Sequence, residues 1–562
     1  MHKKGLRFLT SMALVAALVV PSLAGCGKKE DKPAATTEQT PSAQATASAN
    51  DGQKSVYDTS KPVEFDVYWN YSWYTAKKKW GETTISKEIE KKMNCKINFQ
   101  SPGGNENEKL NIMIAADSLP DVIIMDRNEA YKKLIDLGKI RPLDEYFAKY
   151  PGYRTNADLN TVNFAKVNNK IYSILNWSTT PKHPTGNGGW MVNEKIYKEL
   201  GSPNLKTLDD LYNYLVAVKE KGYKVNGKDV VPMQFAPDTS QSGIYLPYYS
   251  FGGLGTVNED MVYQPEGTKE LKFFMSDPKW EQAMIFSNKL YNAGLMNKDF
   301  FVETSQQKDD KADSGRIAVY ASNNVVNEAR DRQNNWRKID PAGSYKVIEP
   351  PAGGGIPQEK VLNNVYKTLG WNSICITTKA KDPERIYQVF DWIASNEGQL
   401  ITFYGPKGVL WDELDEKGYP IVKKNRSDLS KEDEETLACE VYSMPGMSEW
   451  VDFSKSAAND RLPEEKRDMV ITSQSKIAWK HSYDSTAYEG LFTQATTPEG
   501  VAFKQVQDYV RKQIPKIVMA KDEGEVKSLI KETIDQAYKM KFDTVEKFKT
   551  TIWLDNLKKL GQ

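Results

Sequence analysis

Pro120-Asp121-Val122-Ile123-Ile124-Met125 is an almost wholly apolar run, the pattern expected of a strand in a parallel sheet that is covered on both faces. Residues 63–69 alternate between apolar and polar side chains, which predicts a half-buried strand, and residues 96–100 predict another. Helices are predicted between these strands, over 84–94 and 107–116. Strands that alternate with helices indicate βαβ units and a doubly wound α/β sheet.

Further elements follow from the same periodicities and from helix-capping signals. They are a helix capped by Thr207 and ended by Gly222, strands over 315–321 and 371–377, a helix from Pro383 to Gly398, and a mainly helical region from Thr497 onward.

The first 26 residues have the pattern of a secretory signal. Basic residues precede an apolar core over 8–21, which is followed by Leu23-Ala24-Gly25-Cys26. This tetrapeptide resembles the bacterial lipobox, in which the cysteine receives a diacylglyceryl group and becomes the first residue of the mature chain. We therefore predict a signal peptide over 1–25 and lipidation of Cys26. The alternatives are a transmembrane anchor and an ordinary secreted protein.

Composition limits what the rest of the chain can be. Residues 26–61 are predicted to be a disordered tether, because no aromatic or branched aliphatic residue lies between Cys26 and Val56. Removal of residues 1–25 leaves 73 basic residues against 75 acidic ones, so the mature chain lacks the basic excess typical of nucleic-acid binding. The length of 562 residues is enough for two sizeable cores. No later apolar stretch is long enough to predict a membrane span.

Cysteine and histidine offer little chemistry. Cys95, Cys375 and Cys439 are widely scattered and odd in number, so they are predicted to be free thiols. His183 and His481 fall in no metal-binding or catalytic motif. We predict no metal, no cofactor and no catalytic residue.

Several short motifs occur in one order along the chain. They are Leu119-Pro120-Asp121 within 115–122, Ile140-Arg141-Pro142-Leu143 within 137–144, Asn169-Lys170-Ile171-Tyr172 within 169–174, Thr207-Leu208-Asp209-Asp210 within 206–212, and Asp382-Pro383 with Asn396-Glu397-Gly398. Together they resemble the extracellular solute-binding proteins of carbohydrate ABC importers, in particular a long lipoprotein subgroup, over about residues 62–555.

The resemblance implies a two-lobed periplasmic-binding-protein type II fold with extra C-terminal helices. One lobe is expected over 62–178 with about 318–405, and the other over 179–317 with about 406–562. A sugar or oligosaccharide would be held in the cleft by hinge closure and delivered to the ABC transporter permease subunits. The protein is expected to be a monomer, anchored by lipid on the extracytoplasmic face of a cell membrane, in a Gram-positive cell.

The chain departs from long members of this family that carry a calcium loop after the helix matching 208–221. Gly222 and Lys224 stand where acidic ligands are needed, and Met233 where a bidentate glutamate is needed. We therefore expect no calcium here, and Asn226-Gly227 predicts a hairpin turn instead.

Sugar recognition needs aromatic faces for the C–H side of the ring and polar side chains for the hydroxyls. Such residues cluster after the first and third strands, near the expected crossovers and in the second lobe. The candidates are Tyr71, Trp73, Tyr74, Asp126, Arg127, Trp177, Trp190, Tyr248, Trp371 and Trp479. For each aromatic residue the alternative is burial in the core, and for Asp126 or Asn128 it is a helix cap.

Two other classes of function compete with a sugar receptor. A membrane-anchored glycoside hydrolase or lyase would need a suitably spaced pair of carboxyl groups, which the sequence does not exclude. A receptor for another solute, such as a peptide, would share the same fold.

Overall fold

The computed structural model describes residues 56–72, 78–236, 243–257, 259–424, 426–438 and 445–562. The strands are β1 (Val63–Trp69), β2 (Cys95–Gln100), β3 (Val122–Met125), β4 (Ile174–Asn176), β5 (Gly189–Asn193), β6 (Lys224–Val225), β7 (Lys228–Asp229), β8 (Val231–Phe235), β9 (Gly255–Thr256), β10 (Val262–Tyr263), β11 (Lys272–Phe273), β12 (Ile317–Ser322), β13 (Tyr345–Ile348), β14 (Asn364–Tyr366), β15 (Asn372–Ile376), β16 (Trp411–Leu414), β17 (Pro420–Val422) and β18 (Ser482–Asp484).

Helices connect and cover these strands. They are α1 (Thr84–Met93), α2 (Glu106–Ala115), α3 (Glu129–Asp136), α4 (Asp144–Lys149), α5 (Gly152–Asn156), α6 (Leu159–Phe164), α7 (Glu194–Glu199), α8 (Leu208–Lys221), α9 (Leu246–Ser250), α10 (Pro278–Asn292), α11 (Ser305–Asp313), α12 (Val325–Arg337), α13 (Pro383–Ala394), α14 (Asn396–Tyr404), α15 (Lys431–Leu437), α16 (Ser448–Asp460), α17 (Met469–Lys476), α18 (Pro498–Val518), α19 (Glu523–Lys539) and α20 (Phe542–Lys559).

The first sheet has the strand order β2-β1-β3-β15-β4. β1 pairs in parallel with β2 and β3, whereas β15 runs antiparallel to β3 and β4. Val122 and Ile124 of β3 face one apolar cluster, and Ile123 and Met125 face another. All four side chains are fully buried, so the predicted strand covered on both faces is confirmed.

The second sheet has the order β13-β5-β12-β8. β12 is parallel to β8 and antiparallel to β5. Its larger apolar core also takes side chains from α8, α10 and the three C-terminal helices α18, α19 and α20, which confirms the helical C-terminal region. The resemblance implies that residues from about 318 belong to the first lobe, whereas the hydrogen bonds of β12 and β13 to β5 place both strands in the second sheet.

Capping chemistry sets the helix ends. Thr83 caps α1 through a capping box, so the helix begins at residue 84. The helix predicted to run to Gly398 ends at Ala394 instead, because the Ser395 side chain accepts a hydrogen bond from the Gly398 amide and begins α14. Gly222 ends α8 in the left-handed conformation, as predicted.

Two short segments complete the picture. Asn226 and Gly227 both have positive φ and join β6 to β7, so the predicted hairpin turn is confirmed. Ordered contacts begin earlier than residue 62, because the Tyr57 hydroxyl donates to the Asp391 carboxylate of α13 at 2.8 Å. Within the described residues, no helix is both long and apolar enough to cross a membrane.

Candidate functional site

A large cavity of about 1630 Å³ lies where the strand ends of both sheets meet the segments that join them. The residues after β3 line it on the side of the first sheet, and those after β12 line it on the side of the second. Further lining comes from the connecting segments near Trp177 and Trp371 and from residues 485–493. This position matches the general rule that ligands bind at the carboxyl ends of parallel strands and between layers.

A half-buried ion-pair cluster, formed by Arg127, Lys367 and Glu489, lies on the cavity wall. Arg127 Nε donates to Glu489 Oε1 at 2.9 Å, and Lys367 Nζ lies 3.2 Å from Glu489 Oε2. Burial alone would raise the pKa of Glu489, but the two cations outweigh it and lower the pKa to about 2. Glu489 is therefore a carboxylate at neutral pH, with each oxygen facing a cation.

A second ion pair, which is buried, lies beside this cluster. Lys549 Nζ of α20 donates to Asp260 Oδ1 at 2.8 Å, and its side chain is only 1% exposed. Burial lowers the pKa of Lys549, and the negative charge of Asp260 opposes this shift. Both residues line the cavity. Because they form an ion pair, their charges neutralise each other.

Trp371 forms an aromatic platform at the start of β15. It lines the cavity and is 40% exposed. Its ring packs against Tyr71, with centroids 5.1 Å apart, and against Trp69 at 6.2 Å. Tyr71 is itself held by its hydroxyl, which donates to Asp126 Oδ1 at 2.7 Å. The Trp371 ring is thus held by packing on Tyr71 and Trp69, and part of it is exposed to the cavity.

Trp177 offers a second aromatic face. It lines the cavity, has a positive φ of 60°, and packs edge-on against Phe403 at 5.5 Å. Its amide donates to the carbonyl of Gly446 at 2.7 Å. A Cβ at residue 446 would meet the indole ring at 2.7 Å, so glycine is required there for the ring to fit.

Trp479 also lines the cavity and packs edge-on against the buried ring of His183 at 5.0 Å. His183 Nε2 lies 3.4 Å from Asp452 Oδ2. The indole is half-buried, so this third aromatic residue is oriented by packing on one side while the other side faces the cavity.

Asn364 joins three passages of the chain. Its side chain accepts from the Gly188 amide, and its Nδ2 donates to the carbonyls of Gly188 at 3.2 Å and Ala478 at 3.1 Å. β14, which begins at Asn364, also pairs in parallel with β18. The connections between the two sheets are therefore hydrogen-bonded to one another rather than independent.

The structure separates the predicted site residues into four groups. Residues that line the cavity are Asp126, Arg127, Trp177, Trp371 and Trp479. Tyr71 lies directly beneath this wall, against Asp126 and Trp371. Trp73, Tyr74 and Cys26 lie outside the described residues.

Two predicted site residues are placed elsewhere, in the second core. Trp190 and Tyr248 are fully buried and do not line the cavity. Trp190 faces the core because it lies on β5, in the middle of the second sheet. Tyr248 donates its hydroxyl to the Asp277 carboxylate at 2.8 Å. For both residues the burial supports the alternative of core packing.

Asn128, for which a helix cap was the alternative, accepts from the amides of Ala130 and Tyr131 and caps α3. Sequence reasoning missed Lys367, Glu489 and Asn364 altogether. No local motif surrounds these residues, and their partners lie more than a hundred residues away in the chain.

A family model described as bacterial extracellular solute-binding protein matches residues 64–400. The chain belongs to this family. The match spans most of the first sheet, all of the second and the segments that connect them.

Two individual relatives share about a quarter of their aligned residues with this chain. Over 390 residues the chain is 26% identical to the lipoprotein LipO of Bacillus subtilis, covering 67% of this chain and 72% of LipO. Over 345 residues it is 25% identical to YtcQ of the same organism, a polygalacturonan/rhamnogalacturonan-binding protein, covering 59% and 64%.

Among solved structures, the fold is similar to an HMO binding, ABC-transporter associated solute binding protein from Bifidobacterium longum infantis. The TM-score is 0.63 at 15% identity, and the match covers 88% of this chain and 98% of that chain. The two-lobed fold predicted from the sequence is thus confirmed.

Proposed function

We propose that this protein is an extracytoplasmic receptor that captures an oligosaccharide in the cavity between its two sheets and delivers it to an ABC importer. The observation that carries the proposal is the cavity itself, with three tryptophans on its wall among polar and paired charged groups. The relatives described as binding polygalacturonan/rhamnogalacturonan and HMO support the sugar assignment.

The size of the cavity favours an oligosaccharide over a single sugar. Pockets for drug-sized ligands usually enclose about 300–1,000 Å³, and this cavity encloses about 1630 Å³. Trp177, Trp371 and Trp479 lie on different segments of its wall, so more than one ring of a chain could stack at once. Aromatic faces suit the apolar side of a pyranose, and the polar side chains suit its hydroxyls.

Two acidic residues on the cavity wall, Glu489 and Asp260, are held in ion pairs and are poorly suited to act as a catalytic acid. A hydrolase needs one carboxyl group to carry a proton near neutral pH. Glu489 is instead held as a carboxylate by Arg127 and Lys367, and Asp260 is paired with Lys549. The relatives above are likewise binding proteins, so we assign no catalytic residue.

We further propose how the receptor is placed and how it moves. Lipid on Cys26 and a tether up to about residue 56 would hold it as a monomer near its permease, on the outer face of a Gram-positive membrane. One lobe is built on the first sheet and the other on the second. The return from the second lobe to the first would fall between β13 and β15. Closure of the two lobes would bury the ligand.

A thermal-shift screen tests the proposal, using the chain from residue 51 and pectic, algal and host oligosaccharides. A true ligand at 100 times its dissociation constant should stabilise the protein by about 2.7 kcal/mol. Calorimetry should then give one site per chain, with no cleavage of the sugar on prolonged incubation. Cleavage of any of these oligosaccharides, or a melting shift with a peptide library and none with sugars, would show that the assignment is wrong.

A further inference from the structure

The side chain of Arg127 is committed to partners within the protein, although the residue lines the cavity. Besides the bond from Nε to Glu489, Nη2 donates to the carbonyl of Gly370 at 2.7 Å and Nη1 to that of Asn372 at 3.0 Å. The side chain is only 9% exposed. Each of its three nitrogens is therefore bonded to a different residue, two of them in the segment at the start of β15.

The two carbonyls that Arg127 binds stand immediately before and after Trp371. The backbone on both sides of the aromatic platform is thus fixed by one guanidinium group. Gly370 has a positive φ of 69°, and a Cβ there would meet the carbonyl oxygen of Asn176 at 2.1 Å. Only glycine therefore allows the backbone at residue 370 to lie this close to the carbonyl of Asn176. A planar fork with several N–H groups is the geometry that arginine supplies and lysine does not.

The bond from Arg127 Nε to Glu489 connects the Trp371 platform to the second core. The carbonyl of Glu489 accepts from Asn556 Nδ2 of α20 at 2.7 Å, as does that of Ala487 at 2.9 Å. Tyr488, between them, is buried in the core of the second sheet together with α18 and α20. Glu489 is therefore attached to the second core, whereas Arg127 follows β3 of the first sheet.

We propose that Arg127 is a positioning residue, which holds the Trp371 platform in a fixed relation to Glu489 and so couples the aromatic surface offered to a ligand to the contact between the two cores. The sugar nature of that ligand rests on the function proposed above. The positioning itself does not, because it can be measured without any ligand.

Fluorine NMR of protein labelled with 5-fluorotryptophan provides the test. The resonance that disappears in Trp371→Phe is that of the platform. In the ligand-free protein, Arg127→Lys and Glu489→Gln should each shift or broaden this resonance. Arg385→Lys is the matched control, because Arg385 is also buried and donates to a backbone carbonyl, that of Met93 at 2.7 Å. It should leave the platform resonance in place. An unchanged platform resonance in both Arg127→Lys and Glu489→Gln would overturn the proposal.

A double-mutant cycle with the best oligosaccharide of the screen separates positioning from direct contact. Arg127→Lys should weaken binding about tenfold, the equivalent of one lost charged hydrogen bond. In the Trp371→Phe background the same change should have little further effect. An equal loss in both backgrounds would mean that Arg127 binds the ligand itself. If no sugar binds the wild-type protein, the proposed function fails, and the fluorine spectra still decide whether Arg127 positions Trp371.

Discussion

Replacement of Glu489 by glutamine removes one negative charge from the half-buried ion-pair cluster and keeps the shape of the side chain. The pKa of Glu489 is lowered from 4.5 to about 2 by Lys367 and Arg127, against the effect of burial. A difference of that size corresponds to about 3 kcal/mol of preference for the ionised form in the folded state. Loss of one partner from a fully buried ion pair typically costs about 3–5 kcal/mol, and this pair, with Glu489 16% and Lys367 23% exposed, should lie at the lower end of that range. We expect Glu489→Gln to reduce the free energy of unfolding by about 3 kcal/mol near neutral pH.

The sign of the pH dependence follows from the direction of the shift. Because the pKa is lower in the folded state, the stabilisation is complete above the unfolded value of 4.5 and is lost as the pH falls toward 2. The difference in the free energy of unfolding between wild type and Glu489→Gln should therefore be constant from about pH 7 to about pH 5. It should fall to roughly 2 kcal/mol by about pH 3.5.

Urea denaturation of both proteins across this pH range measures the difference in their free energies of unfolding. Glu259→Gln is the control, because Glu259 lies 3.8 Å from the same Lys367 but its side chain is 73% exposed. The control should change stability by less than about 1 kcal/mol. The electrostatic account of this cluster would be refuted if the two proteins had equal stability at neutral pH, or if their difference in stability did not decrease on acidification.

Further predictions separate the cavity wall from the core and the anchor. Trp371→Ala should lower the affinity for the oligosaccharide by at least about tenfold in calorimetry with a small change in melting temperature, whereas Trp190→Ala should cost about 3–5 kcal/mol of stability. Asn364→Ala should destabilise the protein by about 2–3 kcal/mol in urea titrations, because it leaves buried backbone groups unpaired; an unchanged midpoint would contradict its role at the junction. Cys26→Ser should release the protein from the membrane fraction into the medium of expressing cells, since a diacyl anchor is lost; retention in the membrane would argue for another anchor.

Local pattern was sufficient for those elements whose conformation depends on nearby residues. The burial of Val122 to Met125 on both faces, the Asn226-Gly227 hairpin and the Gly222 helix end were all predicted from a few adjacent side chains. Gly398 was interpreted wrongly because a serine three residues earlier begins a new helix, and a glycine in the first helical turn costs little there.

Long-range placement was not accessible in the same way. Trp190 and Trp371 both stand at the start of a strand, and only the packing of the surrounding sheet decides that one is in the core and the other faces the cavity. The pairing of Glu489 with Arg127 and Lys367 joins segments that are far apart in the chain. The same limit applies to β12, whose partner strands could not be deduced from its own apolar sequence.

The strand order of the first sheet has a consequence for how the chain folds after synthesis. Among the residues that the structure describes, β4 joins this sheet only through β15, which is made about 200 residues later, and such distant pairing slows folding. Until β15 arrives, β3 has an open edge, which is a template for pairing with other chains. The entire second sheet is synthesised during that interval. Premature termination or a long pause before residue 372 would therefore leave an aggregation-prone intermediate, and completion of the first sheet is a late step in maturation.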